Sequence, residues 1–169
     1  MPIREIGMSE IARIADLLEE TFEGTPYYGP SVLGAFEDVT AEVAAQRPRW
    51  SAHSIWDLVA HLTAELDYAR AVIQRTAGPW VEGETTWPAI HDTSEAAWQG
   101  AIEGLKRANR ALVRAVRQLD ESLLDQQPIR VRGPYYLMLH GTMQHSIFHS
   151  GQISLLTGQM AMGDDGEAG

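Results

Sequence analysis

Four stretches of this chain repeat apolar side chains every three to four positions, the period of a helix with one buried face. No segment shows sustained period-2 alternation between turn signals, so strands have no pattern to grow from. The first stretch opens near Met8, carries Ile11, Ile14, Ala15, Leu18 and Phe22, and stops around Gly24. Residues Gly24 to Ser31 include two glycines and two prolines and cannot continue a helix. Val32, Phe36, Val39 and Val43 then restart the period, which predicts two helical pieces joined by a loop. The second long helix is expected from Ser54, an N-cap with Asp57 in the first turn, to about Thr76. Its stripe is Ile55, Val59, Leu62, Leu66, Ala69 and Ile73. The third spans about Ser94 to Leu119, with Trp98, Ile102, Leu105, Leu112, Val116 and Leu119 on one face and Asp92 or Ser94 as cap. The fourth starts after Arg132-Gly133-Pro134 and runs through Leu156 to Gly158.

Helices of this length with one stripe each predict an all-α four-helix bundle whose first helix is interrupted by a Gly/Pro loop. At 169 residues the chain suits a single domain over 1–169, with 159–169 expected to be a flexible tail. The loop from Ala77 to Thr93 is long enough to suggest a role. Its Trp80 and Trp87 either anchor an interface or simply cover the end of the bundle.

Charge and composition remove several functional classes. With 23 acids against 13 bases the formal charge is −10, a field that repels phosphate backbones and anionic headgroups. Nucleic acid is therefore not an expected partner. No apolar run approaches the 18 or so residues needed to cross a bilayer, so no membrane is expected either. The start of the chain lacks the basic and apolar segments of a signal peptide, which predicts a cytoplasmic protein. There are no cysteines, so any transition-metal site must be built from His, Asp and Glu.

Six histidines are present, at 53, 61, 91, 140, 145 and 149. His145 and His149 stand four residues apart, and at about 100° per residue both imidazoles share one helix face. On that face also lie Met138, Thr142, Gln152 and Leu156, so the pair points inward, with Gly141 leaving room beside it. A metal ion would satisfy both ring nitrogens at once. The same spacing equally suits two histidines hydrogen-bonded to backbone or water. A third ligand must come from another helix, and His61, at the edge of the second stripe near Leu58, Glu65 and Val72, is the best donor; alone it also suits an ordinary boundary histidine. His140 projects away from the pair, His53 precedes the second helix and His91 lies in the long loop. Three histidines with a position left for water describe a catalytic rather than a structural site, where bound water has its pKa lowered to about 7. Glu65, one turn after His61, is a candidate catalytic base, or else a solvated helix carboxylate. Gln152 and Tyr28 can each line a pocket or make plain hydrogen bonds.

The Ser54-Ile-Trp-Asp-Leu-Val-Ala-His61-Leu helix, taken with the Gly141-Thr-Met-Gln-His145-Ser-Ile-Phe-His149-Ser-Gly-Gln152-Ile segment, resembles the DinB-like, or YfiT-like, family of four-helix-bundle metalloenzymes. The resemblance runs from the Leu17-Leu-Glu-Glu-Thr-Phe-Glu-Gly24 segment to Leu156, and the Tyr28-Gly-Pro-Ser31 break looks like one branch of that family. It implies that His61, His145 and His149 bind one divalent metal ion, zinc or nickel. It also implies a small-molecule substrate such as a low-molecular-weight thiol, and a homodimer. The expected activity is that of a metal-dependent transferase, moving a thiol onto a small electrophile, or a hydrolase. The competing expectation is a non-catalytic metal or small-ligand binding protein, or a stress-response interaction protein.

Overall fold

The structure, a computed structural model of the chain, describes residues 8–79, 83 and 86–161. All regular elements among them are helical. Helix α1 spans Glu10–Glu23, α2 Ala41–Ala45, α3 Ile55–Ile73, α4 Glu95–Arg117 and α5 Tyr135–Ala161, with 3₁₀ turns at Gly34–Phe36 and Glu121–Leu123. The four long helices form a closed ring of contacts: α3 packs on α4, α4 on α1, α1 on α5, and α5 back on α3. That is a four-helix bundle in which α1 and α3, neighbours in the sequence, face one another across the diagonal.

The caps lie where side-chain chemistry favours them. Ser9 caps α1 by accepting from the Ala12 N–H, and Gly24 ends the helix with its own N–H bonded to the Glu20 carbonyl. Ser94, rather than Asp92, caps α4, while Asp92 accepts from the Ser94 N–H. At the start of α3, Ser54 accepts from the Asp57 N–H at 3.1 Å and Asp57 accepts from the Ser54 N–H at 2.8 Å, a reciprocal capping box. Arg47 adds a 2.6 Å ion pair to the same carboxylate.

Two expectations are corrected. Val32, Phe36, Val39 and Val43 do not lie on one helix: a 3₁₀ turn and the short α2 replace it, because Asp38 takes a left-handed φ of 64° that no α-helix tolerates. Their burial supplied the helical period in the sequence, since Val32, Phe36 and Val39 all reach the core. The Val39 carbonyl, freed from any helix, accepts the Trp98 indole N–H at 2.7 Å, and Trp98 packs on Phe36 and Trp56 in the middle of the bundle. The fourth helix also runs past Gly158 to Ala161; the rest of the expected tail, 162–169, lies outside the described residues.

Among the described residues no helix is long and apolar enough to cross a membrane. Helix α5 is apolar on most of its circumference, and its buried side carries Leu139, Met143, Ile153 and Leu156 alongside the polar Ser146, His149 and Ser150. Polar groups on the buried side of a core helix call for partners, and they locate the site.

Burial of the Asp57 carboxyl favours its neutral form, but the hydrogen bonds from Ser54 and Arg47 outweigh that and hold its pKa below the usual carboxylate range. A carboxyl with a depressed folded pKa stabilises the fold above its unfolded pKa of about 3.9 and loses that contribution as pH falls towards the folded value. Ser54→Ala is expected to cost about 1 kcal/mol at neutral pH. The stability gap between wild type and Asp57→Asn, read from urea unfolding midpoints, should shrink steadily below about pH 4. A gap independent of pH would remove the ionised cap from this account.

Candidate metal centre

Three histidines converge between α3 and α5. His61 is 5% exposed on α3, and His145 and His149 reach it from α5, with His149 also 5% exposed. Their ligand nitrogens lie within 4.8 Å of one another. His145 Nε2 stands 3.0 Å from His61 Nε2 and 3.0 Å from His149 Nε2. The side chain of His145 is 37% exposed, so it forms the open side of the cluster.

The opposite ring nitrogens decide which tautomers are present. His61 Nδ1 lies 2.6 Å from the Thr86 carbonyl oxygen, an atom that can only accept, so Nδ1 carries the proton and Nε2 presents a lone pair. His149 Nδ1 lies 2.6 Å from Gln152 Oε1, and with the amide oxygen turned to the ring it too is the protonated nitrogen. Two lone pairs therefore face His145 Nε2, which carries at most one proton to share between them. An arrangement of three neutral imidazoles leaves at least part of this nitrogen-to-nitrogen contact unsatisfied, whereas one cation at the focus satisfies all three. Tetrahedral zinc, with Zn–N bonds of about 2.0–2.1 Å, sets ligand nitrogens about 3.3 Å apart. The two 3.0 Å contacts need to widen by only a few tenths of an ångström to match, and the third pair lies within the 4.8 Å that the cluster spans. The donor set thus fits a divalent ion and is capable of coordinating one.

The electrostatics favour the ligand form. Burial lowers the pKa of His61 against the opposing pull of the Thr86 carbonyl, and burial together with the positive field of a protonated His61 lowers that of His145. His149 is pushed down to about 4, mainly by burial. All three are neutral at pH 7, as metal coordination requires.

The surroundings come largely from the loop between α3 and α4. Trp87 stacks flat on His61 with ring centroids 4.0 Å apart, and His53 stacks on the Trp87 ring at 3.7 Å, both within 6° of parallel. This His53–Trp87–His61 stack fixes the plane of His61 and closes one side of the cluster. Thr86 is held in turn, its hydroxyl donating to the Gly83 carbonyl and accepting the Gly83 N–H. Glu65 Oε1 lies 3.9 Å from both His61 Nε2 and His145 Nε2, and burial raises its pKa. A cavity of about 380 Å³ opens beside His145 and Glu65.

The sequence thus anticipated His61, His145, His149, Glu65 and Gln152, and the fold brings all five together. Tyr28 is not part of the cluster: its hydroxyl donates to the Thr21 carbonyl at 3.4 Å. His91 is exposed in the loop, and His140 packs against Tyr136 on α5, its ring Nε2 buried. Thr86, Trp87 and His53 were not anticipated as part of the site. Of the two tryptophans singled out earlier, Trp87 covers the cluster, while Trp80 lies outside the described residues. No protein-family model, curated protein or solved structure matches this chain.

The geometry makes a specific statement about protons. In metal-free protein His61 and His149 should both show the Nδ1–H tautomer, the one less favoured by a free histidine side chain, in long-range ¹H–¹⁵N spectra at pH 7. Nε2–H tautomers on both rings would mean that the Thr86 and Gln152 bonds do not form in solution.

Proposed function

We propose that His61, His145 and His149 hold one divalent metal ion, zinc or nickel, and that the protein is a metal-dependent enzyme of the DinB-like, YfiT-like kind. It acts on a small molecule, by transfer of a low-molecular-weight thiol to an electrophile or by hydrolysis. The observation that carries this reading is the pair of committed Nδ1 protons, which turn two buried Nε2 lone pairs towards a third imidazole at 3.0 Å. A purely structural histidine cluster has no reason to aim its acceptors at one point.

When bound, such an ion supplies Lewis acidity that makes a water or a thiol a better nucleophile at neutral pH. The chain's own groups do the rest. Thr86 and Gln152 orient His61 and His149, while Trp87 excludes water from the closed side. Glu65, on the open side, is placed to take the proton that the nucleophile gives up, and its carboxylate then holds that proton. In the transfer reaction the sulfur forms a bond to the electrophilic carbon as the leaving group departs with its electron pair. With no cysteine in the chain, that sulfur belongs to a cosubstrate. A single-domain, cytoplasmic homodimer completes the reading.

Metal analysis of untagged protein by plasma mass spectrometry should find about one ion per chain, lost in both His61→Ala and His145→Ala. Wild type that is folded yet metal-free would overturn the reading. Gln152→Ala should retain the fold and weaken metal binding by about 10–100-fold in a chelator competition, because it releases the His149 ring from its fixed tautomer. Glu65→Gln should keep the ion and lower turnover of thiol-transfer or hydrolysis substrates by about 10²–10⁴-fold. An ion retained by wild type with no turnover in either reaction class would leave a binding protein.

A further inference from the structure

The cavity beside the triad carries a charge pattern opposite to that of the chain. It is lined by His145 and Glu65 of the site, by the apolar Ala69 and Met138, and by Arg130 and Arg132. The chain has 13 basic residues against 23 acidic ones, yet neither of these arginines has an ion-pair or hydrogen-bond partner among the described residues. Arg47, Arg70 and Arg117 are engaged by carboxylates, whereas Arg49, Arg75 and Arg114 are unpaired among the described residues like these two; what distinguishes Arg130 and Arg132 is that both line the cavity that also holds His145 and Glu65. Two exposed guanidinium groups against the single carboxylate of Glu65 give the lining of this cavity a local positive field.

The backbone beneath them is pinned rather than loose. Gln127 Nε2 donates to the Val131 carbonyl at 3.1 Å, and the Tyr135 N–H donates to the Gln126 carbonyl at 2.9 Å. Arg130 itself takes a left-handed φ of 71°, a strained conformation for a residue with a side chain. Gly133 follows at φ 89°, where a Cβ would come within 2.9 Å of Leu137. This turn sets both arginines among the residues lining the cavity, Arg130 also lining the neighbouring cavity with Val72, Arg75 and Tyr135.

We propose that this cavity binds a small substrate or cosubstrate bearing an oxyanion, a carboxylate or a phosphate, which Arg130 and Arg132 hold while the rest of the molecule lies over the apolar Ala69 and Met138 towards His145 and Glu65. The proposal rests on the metal-dependent reading for what happens at His145 and Glu65, but the guanidinium pair belongs to the chain and its anion binding can be read on its own. Guanidinium forks match planar carboxylates and phosphate oxygens in paired hydrogen bonds, and the binding is worth more at a cavity wall than on open surface.

The test is calorimetric titration of metal-loaded protein with succinate, with inorganic phosphate and with neutral succinamide, repeated on Arg130→Gln, Arg132→Gln and the double variant. Arg110→Gln, on the exposed face of α4, serves as control, and the metal content of every sample is measured alongside. At least one anion should bind wild type and the control alike, succinamide should bind far more weakly, and each cavity variant should lose on the order of tenfold in affinity. Preference for succinate would identify a carboxylate, and preference for phosphate a phosphoryl group. Anion affinity unchanged in the double variant, equal affinity for succinamide, or no anion binding by metal-loaded wild type would overturn the proposal while leaving the metal reading intact. Arginine-dependent anion binding in a wild type that holds no metal would do the reverse, sustaining the anion site and removing the ion.

Discussion

The constraint on which the rest of this structure depends is the proton on His61 Nδ1. Once that proton is given to the Thr86 carbonyl at 2.6 Å, Nε2 has no choice but to present a lone pair to the space between α3 and α5. The requirement reaches outward in a chain. The carbonyl must be delivered by the loop after α3, which must turn back over the helix it has just left. Thr86 is buried and doubly bonded to Gly83 to make that return fixed, and Trp87, the next residue, lies flat on the ring it serves. A loop that looked like a cover for the bundle end is thus the part that sets the chemistry of the cluster.

The bundle supplies what the loop cannot, namely a rigid separation between α3 and α5. Each long helix is packed on two neighbours, so neither α3 nor α5 can shift without disturbing α4 or α1 as well. The capping box at Ser54 sets where α3 starts, two turns before His61, and so sets the height at which the ring enters the core. On α5 the i, i+4 spacing puts His145 and His149 side by side, but their environments differ: one is buried and tied to Gln152, while the other is more than a third exposed beside the cavity. That asymmetry gives the cluster a closed side and an open side.

Much of this was legible in the sequence, for identifiable reasons. The four long helices were visible because each buries one stripe, and the start of the second because Ser54 is a side chain that satisfies free N–H groups, while the cap of the third was narrowed to Asp92 or Ser94. The shared face of His145 and His149 was legible because it follows from 100° steps along one helix, whereas His61 read on its own equally as a boundary histidine. What was not legible is whatever depends on a backbone path rather than on a period. The Val32–Val43 stretch buries residues at helical intervals without being one helix, since burial records only distance to the core and is blind to the left-handed turn at Asp38. The Thr86 carbonyl carries no side-chain signal at all. His53 was set aside for its position ahead of α3, although an aromatic stack through Trp87 needs only proximity in space.

The cluster also makes sense of where the fold departs from its own rules. A bundle is most stable when every inward position is apolar, and burying imidazoles between α3 and α5 works against that unless their polar atoms are satisfied. Here the outer nitrogens of two rings are satisfied by acceptors placed for them, and the inner nitrogens are left facing one another. If stability alone had shaped the site, the simplest repair would be to turn one ring over so that donor meets acceptor at every contact. The Thr86 carbonyl, which can only accept, forbids that repair at His61, and the Gln152 amide oxygen opposes it at His149, so the focus is left short of protons. Residues that keep a cluster from satisfying itself, at a point where three neutral imidazole nitrogens meet, leave it capable of coordinating a cation.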